Sequence, residues 1–128
     1  ALYPNESCNL GSISVWAFVQ EGPEGSTTYD WAGLKETIML ATRLLDNVID
    51  INKYPLEQIE ESTKLSRKIG LGIMGLADLL CELNLPYNDQ KARDFMEQLT
   101  EFFQYWSKVE SWLESAGRFR FTSKANMQ

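Results

Sequence analysis

The sequence predicts an α/β fold, mostly helical, with two or three short strands. Three observations carry that expectation. Two long segments repeat apolar residues at spacings of three and four, which marks helices with one buried face. Two short runs, Leu10 to Val19 and Ile69 to Gly75, are apolar on both faces or glycine-rich. The first reads as a strand buried on both sides or one leading into a helix, the second as a buried strand or a close-packed turn feeding a helix. The order is strand, helices, strand, helix, that of an α/β layer. A sheet of so few strands leaves edges that other strands must cover. Residues 1–128 are therefore expected to be one piece of a larger domain, and an opening Ala1 in place of Met agrees with that.

The elements follow in order. Ile13, Val15, Ala17 and Val19 alternate on one face of the first run, and Trp16 and Phe18 occupy the other. Glu21 to Ser26, with two glycines and a proline, reads as a loop. Thr28 or Asp30 can cap a helix that begins near Trp31. Its stripe is Leu34, Ile38, Ala41, Leu45 and Val48, and Leu40, Leu44 and Ile51 widen it toward a second neighbour. Pro55 ends that helix or starts the next, a polar one from Leu56 to Lys68 with Ile59 and Leu65 inward. The glycine-rich run then leads into a helix over Leu76 to Leu83. Asn88 or Asp89 caps the longest helix, whose stripe is Phe95, Leu99, Phe102, Trp106, Val109 and Leu113. Arg93, Glu97, Glu101, Lys108 and Glu114 form its polar side, and Gly117 is the expected stop. Phe119 and Phe121 alternate with arginines and suggest a further strand.

Composition excludes several chemistries. A net charge of -6 with no basic run argues against binding nucleic acid or an anionic membrane. No run reaches the length of a membrane span. There is no histidine and there are only two cysteines, so neither a zinc site nor a serine–histidine or cysteine–histidine pair can be built from this chain alone. Two distant cysteines make no disulfide framework, and a reducing cytoplasm is the expected setting.

Among the motifs, Gly70-Leu71-Gly72-Ile73-Met74-Gly75 satisfies the dinucleotide pattern G-x-G-x-x-G. Its context fails: a polar helix precedes it, and no acidic residue follows at the end of a second strand. Close packing of strand and helix explains the glycines better. Glu60 and Glu61 read as a solvated face. Cys81, inside a helical pattern, reads as a small core residue. Cys8 stands at a loop-to-strand junction between Ser7 and Asn9, where a thiol can be reactive or inert.

Three blocks carry a resemblance. Glu6-Ser7-Cys8-Asn9-Leu10-Gly11-Ser12-Ile13, then Leu45 to Asn52 with Tyr54-Pro55, then Arg67-Lys68-Ile69-Gly70-Leu71-Gly72-Ile73-Met74-Gly75-Leu76-Ala77-Asp78 resemble the catalytic large chain of ribonucleotide reductase. The likeness runs from residue 2 to about 117, and its wording is most similar to the adenosylcobalamin-dependent class. The class that takes its radical from a metal-containing subunit is also similar.

The resemblance implies a fragment of a ten-stranded α/β barrel, with strands at Leu10 onward and at Ile69 to Met74. It implies reduction of a ribonucleoside di- or triphosphate by thiyl-radical chemistry, with Cys8 as one of two reductive thiols. The radical cysteine, its acidic neighbour and the second reductive thiol would lie in chain outside this sequence, so the fragment alone would be inactive. Adenosylcobalamin would serve the complete enzyme, with no cofactor expected on this piece. The implied partners are the remainder of the catalytic chain, the ribonucleotide and a thioredoxin-like reductant, with self-association of the isolated piece. The rival expectation is a non-catalytic helical interaction module of the same descent, with its long-helix stripe fully covered.

Overall fold

The computed structural model describes residues 2–125, and side chains as far as residue 117. Strand β1 (Asn9–Ser14) leads through a tight helical turn, Val15–Phe18, into β2 (Val19–Glu21). A second turn, Pro23–Gly25, connects to β3 (Thr27–Tyr29). Helices α1 (Trp31–Ile51) and α2 (Glu57–Ser66) follow, then β4 (Ile69–Met74), α3 (Leu76–Glu82) and α4 (Gln90–Ala125).

Two sheets of two strands result. β1 and β4 pair in parallel, from Asn9 opposite Ile69 to Ser14 opposite Met74. β2 and β3 form an antiparallel hairpin, with Val19 opposite Tyr29 and Glu21 opposite Thr27. The described residues thus hold four strands, one more than the upper expectation, in sheets that do not close. The run from Leu10 to Val19 is not one strand. It turns at Val15, whose side chain is fully buried. Tyr29 fixes that turn by donating its hydroxyl to the Val15 carbonyl at 2.9 Å.

Helix α1 starts where the sequence allows, and Asp30 is the cap: its carboxylate accepts from the Gly33 amide at 2.9 Å. Thr28 lies in β3 instead. Leu34, Ile38, Leu45 and Ile49 are the buried line of α1. Helix α2 ends at Arg67, which adopts the left-handed conformation at φ 46°. Helix α4 begins beside Asp89, whose carboxylate meets the Lys91 amide at 3.5 Å.

The core joins Ile13 and Val15 to Leu34 and Ile38 of α1, Leu79 of α3, and Leu99 and Phe103 of α4. Phe18, Tyr29, Trp31, Phe95, Phe102 and Trp106 pack against it. Edge-to-face contacts run through this aromatic group, for example Trp31 on Phe102 at 4.9 Å between centroids. The aromatic line on α4 is core, as its spacing predicts.

Several expectations are corrected. Leu40, Leu44 and Ile51 are 66%, 60% and 78% exposed, because no described element covers that side of α1. Leu65 is exposed, and Thr63 takes the inward position on α2. Cys81 is exposed too, since α3 buries the adjacent Leu79 and Leu80 and turns Cys81 away. Helix α4 passes through Gly117, where an added Cβ would meet nothing within 4 Å. Residues 118–125 continue this helix rather than forming a strand. Residues 126–128 lie outside the described residues.

Candidate functional site

Alternation along a strand sorts β1 and β4 into two faces. Asn9, Gly11 and Ile13 turn toward α1. An added Cβ on Gly11 would stand 3.6 Å from Leu45, and Ile13 is buried. Leu10 and Ser12 turn the other way and are exposed, opposite Gly70 and Gly72. This second face has small residues on one strand and no described element over it.

Cys8 belongs to that second face. It immediately precedes β1 and is half-buried. Its sulfur lies 3.8 Å from the position a Cβ would take on Gly70. The thiol's hydrogen bond is a weak one, to the carbonyl of its own neighbour Asn9 at 3.5 Å.

The residues around Cys8 are held more firmly. Ser7 Oγ and Thr63 Oγ1 share a hydrogen bond of 2.8 Å, and Thr63 is buried on α2. Asn9 Nδ2 donates to the Leu45 carbonyl of α1 at 3.1 Å. Glu6 forms an ion pair with Lys68, the residue before β4. That hydrogen bond from Lys68, with a second from the Tyr3 amide, holds the Glu6 carboxyl below its usual range. The stabilisation is therefore present above about pH 4.5, the ordinary value, and is lost as pH falls through the lowered one.

A second clamp lies directly before β4. Arg67 donates from Nε to Asp46 at 3.0 Å and forks onto both oxygens of Asp50 at 2.7 and 3.0 Å. It also donates to the Asp46 carbonyl at 3.0 Å. Hydrogen bonding from Asp50 is the largest effect and raises the Arg67 guanidinium further above an already high value; burial, next in size, opposes it, and the Asp46 hydrogen bond adds to the rise. The strand that faces Cys8 is thus anchored to α1 at its first turn of chain. Sequence reading assigned no role to Asp46, Asp50 or Arg67. The available signal was a pair of acids four apart near the end of α1.

The other motifs resolve simply. Gly70 and Gly72 lie within β4, not in a turn, and only Gly75 stands at the start of a helix, with φ 73°. An added Cβ there would approach Ser14 Oγ and Trp16 Cβ to 3.2 Å. Of the three, Gly75 serves close packing, whereas Gly70 and Gly72 lie beside the exposed Leu10 and Ser12 rather than against a helix, and no phosphate loop forms. Glu60 pairs with Lys64 across one turn of helix at 2.6 Å. Cys8 and Cys81 are both free thiols. Among the described residues no three His, Cys, Asp or Glu side chains converge to hold a metal ion, and no helix is long and apolar enough to cross a membrane.

The chain is similar to several known proteins. A family profile described as "Ribonucleotide reductase, barrel domain" matches residues 1–121. A protein of Thermoplasma acidophilum named vitamin B12-dependent ribonucleoside-diphosphate reductase is 48% identical over 101 residues, covering 79% of this chain and 13% of that protein. One of the same name from Mycobacterium tuberculosis is 45% identical over 91 residues, 71% of this chain and 12% of its own length. A ribonucleoside-diphosphate reductase subunit alpha of Chlamydia pneumoniae is 38% identical over 116 residues, 91% of this chain and 11% of its length. The chain thus spans roughly an eighth of these relatives.

Proposed function

The chain belongs to the ribonucleotide reductase family, whose barrel domain it matches, and on that premise we propose that it forms part of the catalytic barrel of such an enzyme, with Cys8 as a reductive thiol. The β1–β4 pair would be two of ten barrel strands, and the face bearing Cys8, Ser12 and Gly72 would turn inward. The observation that carries this reading is the setting of Cys8: a thiol with one weak hydrogen bond, at the start of a parallel strand, beside a glycine.

The chemistry needs that arrangement. Replacing a ribose 2′-hydroxyl by hydrogen consumes two electrons and two protons, and the hydroxyl leaves as water. Two thiols supply both by losing their protons and closing one S–S bond, if the sulfurs can reach bonding distance. A cysteine whose neighbours are tied to α1, α2 and β4 keeps its backbone in place while its sulfur stays available. The second thiol and the radical cysteine would come from the rest of the catalytic chain. A thioredoxin-like dithiol would then reopen the disulfide, which suits a reducing cytoplasm.

The relatives' names favour a ribonucleoside diphosphate as substrate and, in two of the three compared, vitamin B12 dependence. Adenosylcobalamin would supply the first radical to the complete enzyme. No residue of this chain is assigned to it. Leu40, Leu44, Ile51 and Trp112, all exposed, support a piece of a larger assembly over a self-sufficient helical module.

The test is Cys8→Ser in the intact enzyme. Multiple turnover with a dithiol reductant is expected to collapse, while radical formation on the upstream cysteine persists. Undiminished multiple turnover would rule out the role. Activity without added cobalamin would point to the metal-subunit class.

A further inference from the structure

The backbone before Cys8 closes a small turn around one carboxylate. Glu6 Oε2 accepts from the Tyr3 amide at 2.8 Å and from Lys68 Nζ. The Glu6 amide donates back to the Tyr3 carbonyl at 3.1 Å. Asn5 takes a left-handed φ of 67° to complete the turn, a conformation that asparagine tolerates. Lys68 Nζ also lies 4.9 Å above the Tyr3 ring. The pair is mostly withdrawn from water, with side-chain exposures of 32% for Lys68 and 11% for Glu6.

The placement of this pair matters more than its strength. Cys8 immediately precedes β1 and Lys68 immediately precedes β4, and the two strands run parallel in register from Asn9 and Ile69. Glu6–Lys68 therefore ties the chain before one strand to the chain before the other, at the end where the thiol stands. The Ser7–Thr63 and Asn9–Leu45 bonds reach helices. Of the three ties, Glu6–Lys68 is the one that sets β1 against the start of β4.

Resting on the reading of Cys8 as a reductive thiol, we propose that Glu6 and Lys68 are positioning residues, whose ion pair holds the Cys8 sulfur where a second sulfur can close on it. Disulfide closure is demanding in geometry, because the S–S bond and its dihedral admit a narrow range of backbone separations. A misplacement of about 1 Å in such a step lowers its rate by up to about a hundredfold. A residue that fixes the backbone without touching the sulfur leaves that sulfur unobstructed both as thiol and as disulfide.

The experiment uses the complete enzyme with Lys68→Met, Glu6→Gln and Lys68→Arg. Product is measured in a single turnover from the pre-reduced protein, and alkylation of the Cys8-bearing peptide by a small reagent is followed by mass spectrometry. The single losses are expected to slow the single turnover about tenfold and to speed alkylation of Cys8. Lys68→Arg is expected to keep both near the parent. Parent-like turnover and alkylation in Lys68→Met would overturn the proposal, as would a Lys68→Arg variant no better than Lys68→Met. A neutral Cys8→Ser would instead overturn the role of the thiol itself, whatever the alkylation rates show.

Discussion

Cys8 and Gly70 meet across the parallel strand pair through a position that carries no side chain: the sulfur lies 3.8 Å from where a Cβ on residue 70 would stand. The same Cβ would approach Leu10 Cδ2 to 2.6 Å. Leu10 is 79% exposed and can swing aside, so a methyl group at residue 70 would settle against the thiol. Gly70→Ala is expected to fold and to slow alkylation of Cys8, and Gly70→Val to slow it further. Alkylation at the parent rate in both would mean that the thiol opens away from β4.

Arg67 makes four hydrogen bonds to two residues of α1. Its fork onto Asp50 uses a planar geometry that lysine lacks. Arg67→Ala is expected to lower stability by about 2 kcal/mol, a typical loss for charged hydrogen bonds around the buried Asp46 carboxylate. Arg67→Lys should recover less than half, because one ammonium cannot span both acids. Denaturant unfolding measures the order. A lysine variant as stable as the parent would show that charge suffices and the fork does not matter.

The helices were legible because their stripes span several turns. Leu34, Ile38 and Leu45 on α1, and Leu99 on α4, are buried as their spacing requires. The β2–β3 hairpin was not legible. Its strands are three residues long and carry Gln20, Glu21, Thr27 and Thr28 outward, so no apolar alternation exists to read. The sequence singles out Cys8 as a candidate through the block around it, whereas the ties that hold its neighbours were not legible. Glu6 and Lys68 are 62 residues apart, and only the parallel register brings them together. Glu110 misleads in the opposite sense, as a carboxylate in a helix of many surface charges that proves fully buried.

Tyr29 gives a prediction in alkali. Burial first, and then the neighbouring Asp30 charge, push its phenol from 10.0 up to about 12. Between those values the folded chain keeps a proton that the unfolded chain has lost. The contribution to stability is therefore full below pH 10 and fades as pH rises toward 12. An ultraviolet absorbance titration of the tyrosines should show a late component that Tyr29→Phe deletes. The same change should lower neutral-pH stability by about 1 kcal/mol or less, through loss of the bond to Val15. A titration complete by pH 11 would contradict the assignment.

Glu110 joins α4 to α1 through one oxygen. Its Oε1 accepts from Arg43 Nε at 2.8 Å and pairs with Arg43 Nη2 at 2.7 Å. Among the described residues Oε2 has no hydrogen-bond partner. Arg43 stays half exposed and also serves Glu114 at 3.0 Å. A fully buried carboxylate with one satisfied oxygen recovers little of its lost hydration, and an apolar residue of similar volume avoids that loss. Removing Arg43 alone is different, because it strands the carboxylate. Glu110→Met is thus expected to leave the melting temperature unchanged or higher, and Arg43→Met to lower it. The double variant should melt above Arg43→Met, the reverse of what additive losses give. Equal losses in the two single variants, summing in the double, would show that the pair stabilises the helix contact outright.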